Sequence, residues 1–264
     1  MSEKNVVMIK LGGSVITDKS REFTSRNEVI DRLAREIHCF VGRSRTKLIV
    51  AHGGGSFPHV YAKQYKIHLG GYSNETAEGV SRVQNSAARL NRLVVERMME
   101  IGENPISIQP SACVLARNSR IIRWNTTILE KALDSGLVPV PYGDVAFDEA
   151  KGCCILSTEE ILRYLATRLT VSKIVIGIKE KGVLDRNGKL IPVVSKSNLK
   201  GVLEWVKGSS GIDVTGGMRS KILTLYEIAK ANDEIECVIV DVSKPDALKN
   251  CLEGKHVTGT IIRR

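Results

Sequence analysis

The sequence predicts an α/β protein in which a largely parallel sheet is covered by helices on both faces. Three observations lead to this fold class. Short apolar runs rich in Val and Ile recur along the chain, and they alternate with segments whose apolar residues repeat at helical spacing. Glycine clusters follow the first two apolar runs directly. We therefore expect a three-layer αβα sandwich with an open sheet, in which ligands bind beyond the carboxyl ends of the strands.

Eight apolar runs are predicted as strands because they are short, β-branched and closed by turn residues. The first, Val6–Leu11, ends at Gly12-Gly13, and the second, Lys47–Ala51, is followed by Gly53-Gly54-Gly55. The others are Ile106–Gln109, Leu137–Pro141, Cys153–Leu156, Lys173–Ile178, Cys237–Asp241 and Gly259–Ile262.

Three segments between these runs carry one apolar stripe at a period of 3.6 residues and are predicted as helices. The longest extends from about Thr76 to Ile101, and the others cover Asn27–Val41 and Gly217–Ala231. The 264 residues contain no internal repeat and no Pro/Ser-rich linker. We therefore expect a single domain over 1–264, with a soft boundary between lobes of approximately 1–172 and 173–264.

Composition excludes several classes of protein. Hydrophobic residues make up 42% of the chain, which is enough to build a core, and no apolar run approaches the ~20 residues of a membrane span. The six cysteines form no CxxC pair, which indicates reduced thiols in a cytoplasmic protein and argues against a zinc site.

The formal net charge of +10 raises the question of nucleic-acid binding. The basic residues are dispersed, and the aromatic residues do not interleave with them as stacking platforms would. We therefore expect no nucleic-acid partner, and a small polyanionic substrate fits the charge as well.

The first two glycine clusters suit close approach of the backbone to a phosphate. Lys10 precedes Gly12-Gly13-Ser14, and Lys19 could return a second ammonium group to the same place. After the second strand, His59 falls near the first turn of the next helix, where backbone amides favour an anion. A plain turn with solvated lysines is the alternative for the first cluster. For His52 we favour a packing role.

The third cluster, Gly216-Gly217, opens a predicted helix that places Lys221 about one turn inside it. The cluster is not a Walker A loop, because G-x-x-x-x-G-K-[ST] is absent from the chain. Glycine-rich strand ends together with three lysines describe a phosphoryl-transfer site, in which cations surround the transferred group with Mg²⁺ as their partner. Asp144 and Glu159 are acidic candidates in loops after predicted strands, with helix capping as the alternative.

Six segments, taken together and in order, resemble the isopentenyl phosphate kinases of the amino acid kinase superfamily. These segments are IKLGGSVITDKS (9–20), VAHGGGSFPH (50–59), ISIQPSA (106–112), GLVPVPYGDV (136–145), DVTGGMRSK (213–221) and GTIIR (259–263). The resemblance implies an N-terminal acceptor lobe and a C-terminal nucleotide lobe, a homodimer, and transfer of the γ-phosphoryl group of ATP to isopentenyl phosphate in isoprenoid biosynthesis.

The resemblance also implies roles for individual residues. The nucleotide phosphates would be held by Lys10, Gly12, Gly13 and Ser14, with Gly55 facing ATP and with Gly217 and Lys221 contacting the nucleotide. Lys19 would stabilise the transferring group. Gly54 and His59 would hold the acceptor phosphate, with Glu159 on the same side. No residue is assigned as a metal ligand.

The chain departs from the family pattern at three places. Pro58 stands where the family has glycine, Thr158-Glu159 stands for Gly-Asp, and lysines at 179 and 181 replace two acids. Lys179 is therefore a candidate nucleotide contact.

Two alternatives remain open at this stage. One is a sibling kinase of the same fold that acts on a phosphonate such as fosfomycin or on another small alkyl phosphate. The other is a nucleotide- or nucleic-acid-binding regulator that has lost catalysis.

Overall fold

Strands and helices alternate along residues 6–44, 46–206 and 217–264, which the computed structural model describes. The strands are β1 (Val6–Leu11), β2 (Lys47–His52), β3 (Pro105–Ile108), β4 (Val114–Arg117), β5 (Arg120–Trp124), β6 (Val138–Pro141), β7 (Asp144–Asp148), β8 (Gly152–Leu156), β9 (Val171–Ile178), β10 (Val193–Val194), β11 (Glu236–Asp241) and β12 (Gly259–Ile262). The helices are α1 (Gly13–Ile16), α2 (Asn27–Val41), α3 (Pro58–Gln64), α4 (Asn74–Glu100), α5 (Thr127–Asp134), α6 (Thr158–Ala166), α7 (Leu199–Val206), α8 (Gly217–Ala231) and α9 (Ala247–Leu252).

The main sheet has the strand order β10-β12-β11-β9-β1-β2. Its pairings are parallel except that of β11 with β12. A parallel bridge from His52 to Tyr142 continues the sheet beyond β2 toward β6, which pairs in parallel with β3. The predicted open, largely parallel sheet is therefore confirmed.

The core lies on both faces of this sheet because successive side chains of a strand point to opposite sides. On β1, Val7 and Ile9 pack with helices α2, α4 and α9. Val6 and Met8 face the other side, where α5, α6 and α8 cover the sheet. Lys10 continues the series of Val6 and Met8, so its side chain points toward α6 and α8.

A second sheet, of order β5-β4-β7-β8, was not expected from the sequence. The predicted strand Cys153–Leu156 is confirmed as part of β8, but β8 pairs antiparallel with β7 in this second sheet. Asn118 and Ser119 connect β4 to β5, and both have positive φ, 52° and 63°. Two successive residues with positive φ are typical of a two-residue hairpin turn. This turn brings β4 and β5 together as an antiparallel pair.

The three predicted helices are confirmed, with the longest one observed as α4 over Asn74–Glu100. Ser73 caps α4 by accepting a hydrogen bond from the Thr76 amide at 3.1 Å. Among the described helices, none is long and apolar enough to cross a bilayer.

The proposed lobe boundary at residues 172 and 173 falls inside β9, which pairs with β1 on one side and β11 on the other. The division into lobes stays a prediction.

Candidate active site

A cleft of about 1190 Å³ opens where the carboxyl ends of β1, β2 and β9 meet the first turns of α3, α6 and α8. It is lined by most of the residues that the sequence singles out: Lys10, Gly12, Gly13, Ser14, Lys19, Gly54, Gly55, His59, Asp144, Glu159, Gly217 and Lys221. Five chain segments far apart in sequence thus converge on one cavity, as ligand sites in open parallel sheets do.

The first two glycine clusters pack directly against each other at the floor of the cleft. A Cβ added to Gly13 would lie 2.3 Å from the Gly55 amide nitrogen, and Gly55 itself has a φ of +56°. Side chains at either position would separate the two loops. The Gly12 amide donates to the Gly177 carbonyl oxygen at 3.0 Å, so Gly12 contributes its lack of a side chain rather than a free amide. The amides of Gly13 and Ser14 begin α1 and are the better phosphate donors.

Glu159 is the centre of the charged group in the cleft. Its Oε1 forms a buried ion pair with Lys10 Nζ and lies 3.6 Å from Lys221 Nζ. Lys10 and Glu159 are 5% and 4% exposed, so water screens this cluster weakly. Glu159 falls in the first turn of α6, and Ser157 caps that helix by accepting from the Glu160 amide at 3.1 Å. The prediction that Glu159 lies in a loop is wrong, because the capped turn starts one residue before it.

Burial opposes ionisation of Glu159, but the ammonium groups of Lys10 and Lys221 outweigh it and hold the pKa of the carboxyl at about 2. The carboxylate is therefore ionised throughout the physiological range. It fixes two lysines that would otherwise repel each other, and both ammonium groups stay at the cleft surface where a phosphate can reach them.

Gly54 and His59 also line the cleft, and they belong to the loop between β2 and α3 and to the first turn of α3. Pro58 occupies the first position of α3, where the helix needs no amide from it. Its ring packs over Gly54 so closely that a Cβ there would lie 2.2 Å from Pro58 Cγ. The proline thus fixes the entry into α3 and makes glycine necessary at position 54.

His52 is a packing residue, as the sequence favours. It is 1% exposed, stacks on Tyr142 with ring centroids 5.5 Å apart, and accepts at Nε2 from Asn91 Nδ2 at 3.1 Å. Its Nδ1 donates to the Gly53 carbonyl oxygen at 3.1 Å. Burial lowers the pKa of His52 to about 4, so the ring is neutral at pH 7 and anchors the glycine triplet without a charge.

We expect His52 to make the protein less stable as pH falls from about 6.5 to 4. The unfolded chain binds a proton at His52 over this range while the folded protein does not, so the loss approaches roughly 3 kcal/mol. Asp144 acts with the opposite sign, because burial raises its pKa to about 6 and the folded protein then binds the proton first. Urea unfolding of the native protein and of His52→Gln, whose side chain can still accept from Asn91, isolates the His52 contribution. Parallel pH curves for the two proteins would contradict it.

Asp144 begins strand β7 rather than lying in a loop, so that prediction is wrong. Its carboxylate accepts hydrogen bonds from the amides of Ser111 at 3.1 Å and Val145 at 2.8 Å, and so connects the start of β7 to the segment that contains Ser111.

Thr158, where the family has glycine, donates a hydrogen bond from its hydroxyl to the His52 carbonyl oxygen at 2.8 Å. This bond joins the start of α6 to the end of β2.

Lys179 is not among the residues of the described chain that line the cleft. It follows β9 directly, and its charged neighbours include Arg26, Asp18 and Lys19. Partial burial and the nearby Arg26 lower the pKa of its ammonium group. Its contact with a nucleotide stays a prediction.

Arg219 lines the cleft within the segment 213–221, although the sequence analysis gave it no role. Several cleft residues escaped the sequence analysis altogether: Lys63, Leu184, Asp185 and Trp205. Lys63 could have been found, since it lies four residues after His59 and so on the same helical face. The others come from segments whose proximity only the tertiary structure establishes. Within the described residues, no three His, Cys, Asp or Glu side chains form a group that could hold a metal ion.

A glycine-lined cleft at the carboxyl end of a parallel sheet, with buried lysines around one carboxylate, defines a phosphoryl-transfer enzyme of the α/β class. The sequence profile of the Amino acid kinase family matches residues 5–241, and the chain belongs to this family.

More specific likenesses come from individual relatives. The isopentenyl phosphate kinase of Methanothermobacter thermautotrophicus is 33% identical over 97% of this chain and 98% of its own length. That of Methanocaldococcus jannaschii is 34% identical over 82% of this chain and 85% of its own. An X-ray structure of isopentenyl phosphate kinase superposes with a TM-score of 0.83 at 27% identity, covering 98% of this chain and 100% of that one.

Proposed function

We propose that this protein transfers the γ-phosphoryl group of ATP to isopentenyl phosphate and produces isopentenyl diphosphate for isoprenoid biosynthesis. One observation carries the proposal: His59, at the start of α3, lines the same cleft as the cluster of Lys10, Glu159 and Lys221. The cleft therefore offers cations for a nucleoside triphosphate together with a histidine for a second phosphate. The two isopentenyl phosphate kinases to which the chain is similar over most of its length support the same acceptor.

The acidity of the cleft residues favours an acceptor that is already an anion. Glu159, the carboxylate among the lysines, has a pKa of about 2 and is a poor base at pH 7. Both oxygens of Asp144 already accept backbone amides. A phosphate monoester loses its second proton near pH 6, so its oxygen can attack the γ-phosphorus with no proton to remove. An alcohol acceptor would need a general base, and Asp144, with a pKa of about 6, comes nearest to that requirement, although both of its oxygens are held by backbone amides.

In the proposed reaction an oxygen of the acceptor phosphate forms a bond to the γ-phosphorus while the bond from that phosphorus to the β,γ-bridging oxygen breaks. ADP leaves with the bond electrons. Lys10 and Lys221 neutralise charge on the nucleotide phosphates, and Glu159 keeps both ammonium groups in place. Lys19 stabilises the transferring group, and the amides of Gly13 and Ser14 complete the cradle.

The acceptor side of the cleft also offers an apolar surface. Val60, Ala62, Val83 and Ile155 line it, and Ala62 and Val83 are fully buried. Ala62, Val83 and Ile155 connect α3, α4 and β8 in a small apolar cluster. A short hydrocarbon tail attached to the acceptor phosphate would bury its surface here, at roughly 25 cal/mol per Å² removed from water.

Magnesium belongs to the proposal as a companion of ATP rather than as a resident metal. The described residues hold no cluster of three ligating side chains, and Mg²⁺ commonly binds through substrate phosphates and one or two carboxylates. Glu180 and Asp185 line the cleft and are the carboxylates that could reach such a complex. When bound, the ion neutralises charge on the β- and γ-phosphates.

A coupled assay of ADP release over a panel of acceptors tests the proposal. We expect isopentenyl phosphate to support the highest kcat/KM, above other alkyl monophosphates, fosfomycin, acetylglutamate and carbamate. Turnover of fosfomycin or another alkyl phosphate with none of isopentenyl phosphate would overturn the acceptor assignment. ATP binding without turnover of any acceptor would point to the non-catalytic alternative.

Replacing His59 by alanine should raise the KM for isopentenyl phosphate by roughly 10- to 100-fold, the value of one charge-assisted hydrogen bond. The KM for ATP should change little, because in the proposed arrangement His59 holds the acceptor phosphate and not the nucleotide. Initial-rate kinetics in both substrates measure the split. His68→Ala is the matched control, since His68 is exposed on the short turn after α3 and does not line the cleft. A rise in the ATP KM alone would place His59 on the wrong side.

We also propose a homodimer in the cytoplasm. The cytoplasmic location is supported by the six cysteines, all of which are free. The dimer rests on the family resemblance alone. Light scattering should give a mass near twice 29.0 kDa, and a monomeric mass would contradict the dimer.

A further inference from the structure

A tryptophan that the reaction described above does not use lines the cleft. Trp205, on α7, is 37% exposed, whereas Trp124 is 6% exposed and stacks on Tyr164 with ring centroids 6.0 Å apart. Ligand sites are lined predominantly by apolar and aromatic side chains, so a partly exposed indole in the cleft wall is a candidate ligand contact.

The ring of Trp205 lies face-on against the backbone of its own helix. A Cβ added to Gly201, one turn earlier, would lie 3.6, 3.9 and 4.0 Å from three bonded atoms of the six-membered ring. Near-equal distances to a ring atom and its two neighbours mean that the atom sits above the plane rather than beyond the edge. One face of the indole is therefore seated on Gly201, and the exposed area belongs to the remainder of the ring.

Apolar side chains continue the surface around Trp205. Leu184 and Met218 line the same part of the cleft. Met218 precedes Lys221 by three residues on α8, a rise of about 4.5 Å along the helix axis. The apolar surface therefore begins about one helical turn from the ammonium group that faces the nucleotide phosphates.

Charged side chains of the same cleft suit both parts of a nucleotide. Lys10, Lys19 and Lys221 line it and can bind phosphates. Glu180 and Asp185 follow β9 and line it too, and carboxylates accept hydrogen bonds from hydroxyl groups such as those of ribose.

We propose that Trp205 stacks on the base of the bound nucleotide and is a principal source of affinity for the nucleoside part of ATP. The inference rests on the proposed function in that it takes a nucleoside triphosphate as the phosphoryl donor. It goes further by assigning the base to the indole of α7.

Fluorescence can isolate this contact because the chain has two tryptophans and one of them lies outside the cleft. In Trp124→Phe, emission comes from Trp205, and titration with MgATP should change it with the same Kd that calorimetry gives. Inorganic tripolyphosphate, which has the charges but no base, should bind without a comparable change. In Trp205→Phe, the emission of Trp124 should stay nearly constant on ATP addition.

Affinity supplies the second readout. Trp205→Ala should raise the Kd and KM for ATP by roughly 10- to 100-fold, with kcat at saturating ATP unchanged, because the base does not take part in bond formation. Trp205→Phe, which keeps an aromatic face, should lose much less. Thermal unfolding checks that both variants fold.

The inference is overturned if MgATP binds Trp124→Phe by calorimetry without altering Trp205 emission, or if Trp205→Ala binds ATP as the native protein does. The experiments also distinguish a failure of the stacking contact from a failure of the proposed function. If ATP changes Trp205 emission but isopentenyl phosphate is not phosphorylated, the acceptor assignment fails and the stacking contact stands. If isopentenyl phosphate is phosphorylated and the ATP KM of Trp205→Ala is unchanged, the stacking contact fails alone. A protein that binds no ATP contradicts both.

Discussion

Replacing Lys19 by alanine is expected to lower kcat by roughly 10²- to 10³-fold, the cost of removing one preorganised donor from a transition state. The Kd for ATP should change only a few-fold, because Lys10 and Lys221 still hold the nucleotide phosphates. Negative charge builds on the transferring group only as the bonds exchange, so an ammonium group placed there acts mainly on kcat. Single-turnover kinetics combined with calorimetric ATP titration separate the two effects.

Lys179→Ala is the matched control for this experiment. Lys179 carries the same charge and has Lys19 among its neighbours, but it does not line the cleft in the described structure. Its loss should leave kcat within a few-fold of the native value, whether or not it touches the nucleotide. An unchanged kcat in Lys19→Ala, or an equal loss in both variants, would refute the role of Lys19.

Replacing Glu159 by glutamine should destabilise the protein by about 3–5 kcal/mol, because Lys10 and Lys221 then face each other in a buried site without the carboxylate. This is a large part of the 5–15 kcal/mol that holds a typical domain folded. Saturating ATP supplies negative charge to the same ammonium groups, so it should raise the melting temperature of Glu159→Gln more than that of the native protein. Differential scanning calorimetry with and without ATP measures both quantities.

Two further variants serve as controls for the Glu159→Gln measurement. Glu159→Asp keeps the charge one methylene shorter and should recover most of the stability. Glu180→Gln removes an exposed carboxylate that also lines the cleft and should change stability by less than ~0.5 kcal/mol. The electrostatic role of Glu159 is wrong if Glu159→Gln unfolds with the same free energy as the native protein.

The parallel framework of the fold could be predicted because five of the six strands of the main sheet are short β-branched runs with their own turn signals, whereas the two-residue β10 was missed. Val6–Leu11 and Gly259–Ile262 are observed with the predicted bounds. The second sheet could not be predicted in the same way. Strand β5, Arg120–Trp124, has two arginines among five residues, and only Ile121 and Trp124 are buried, so it shows neither a continuous apolar run nor strict alternation.

At the candidate site, the types of residue could be predicted from the sequence, but their arrangement in space could not. Glycine pairs after strands indicated where a phosphate could approach the backbone, and Lys10 and Lys221 were singled out on that ground. No sequence pattern links Lys10 to Glu159, which are 149 positions apart in the chain. Only the crossing of β1 beneath the first turn of α6 makes them an ion pair. The same holds for Trp205, which becomes a cleft residue through the packing of α7.

Phosphorus-31 NMR of a mixture of the protein, MgATP and isopentenyl phosphate observes the proposed phosphoryl transfer itself. We expect the monophosphate resonance of isopentenyl phosphate to decay while the paired resonances of a new diphosphate ester and those of ADP grow in equal amounts. The appearance of inorganic phosphate and ADP with isopentenyl phosphate left intact, or no consumption of ATP at all, would contradict it.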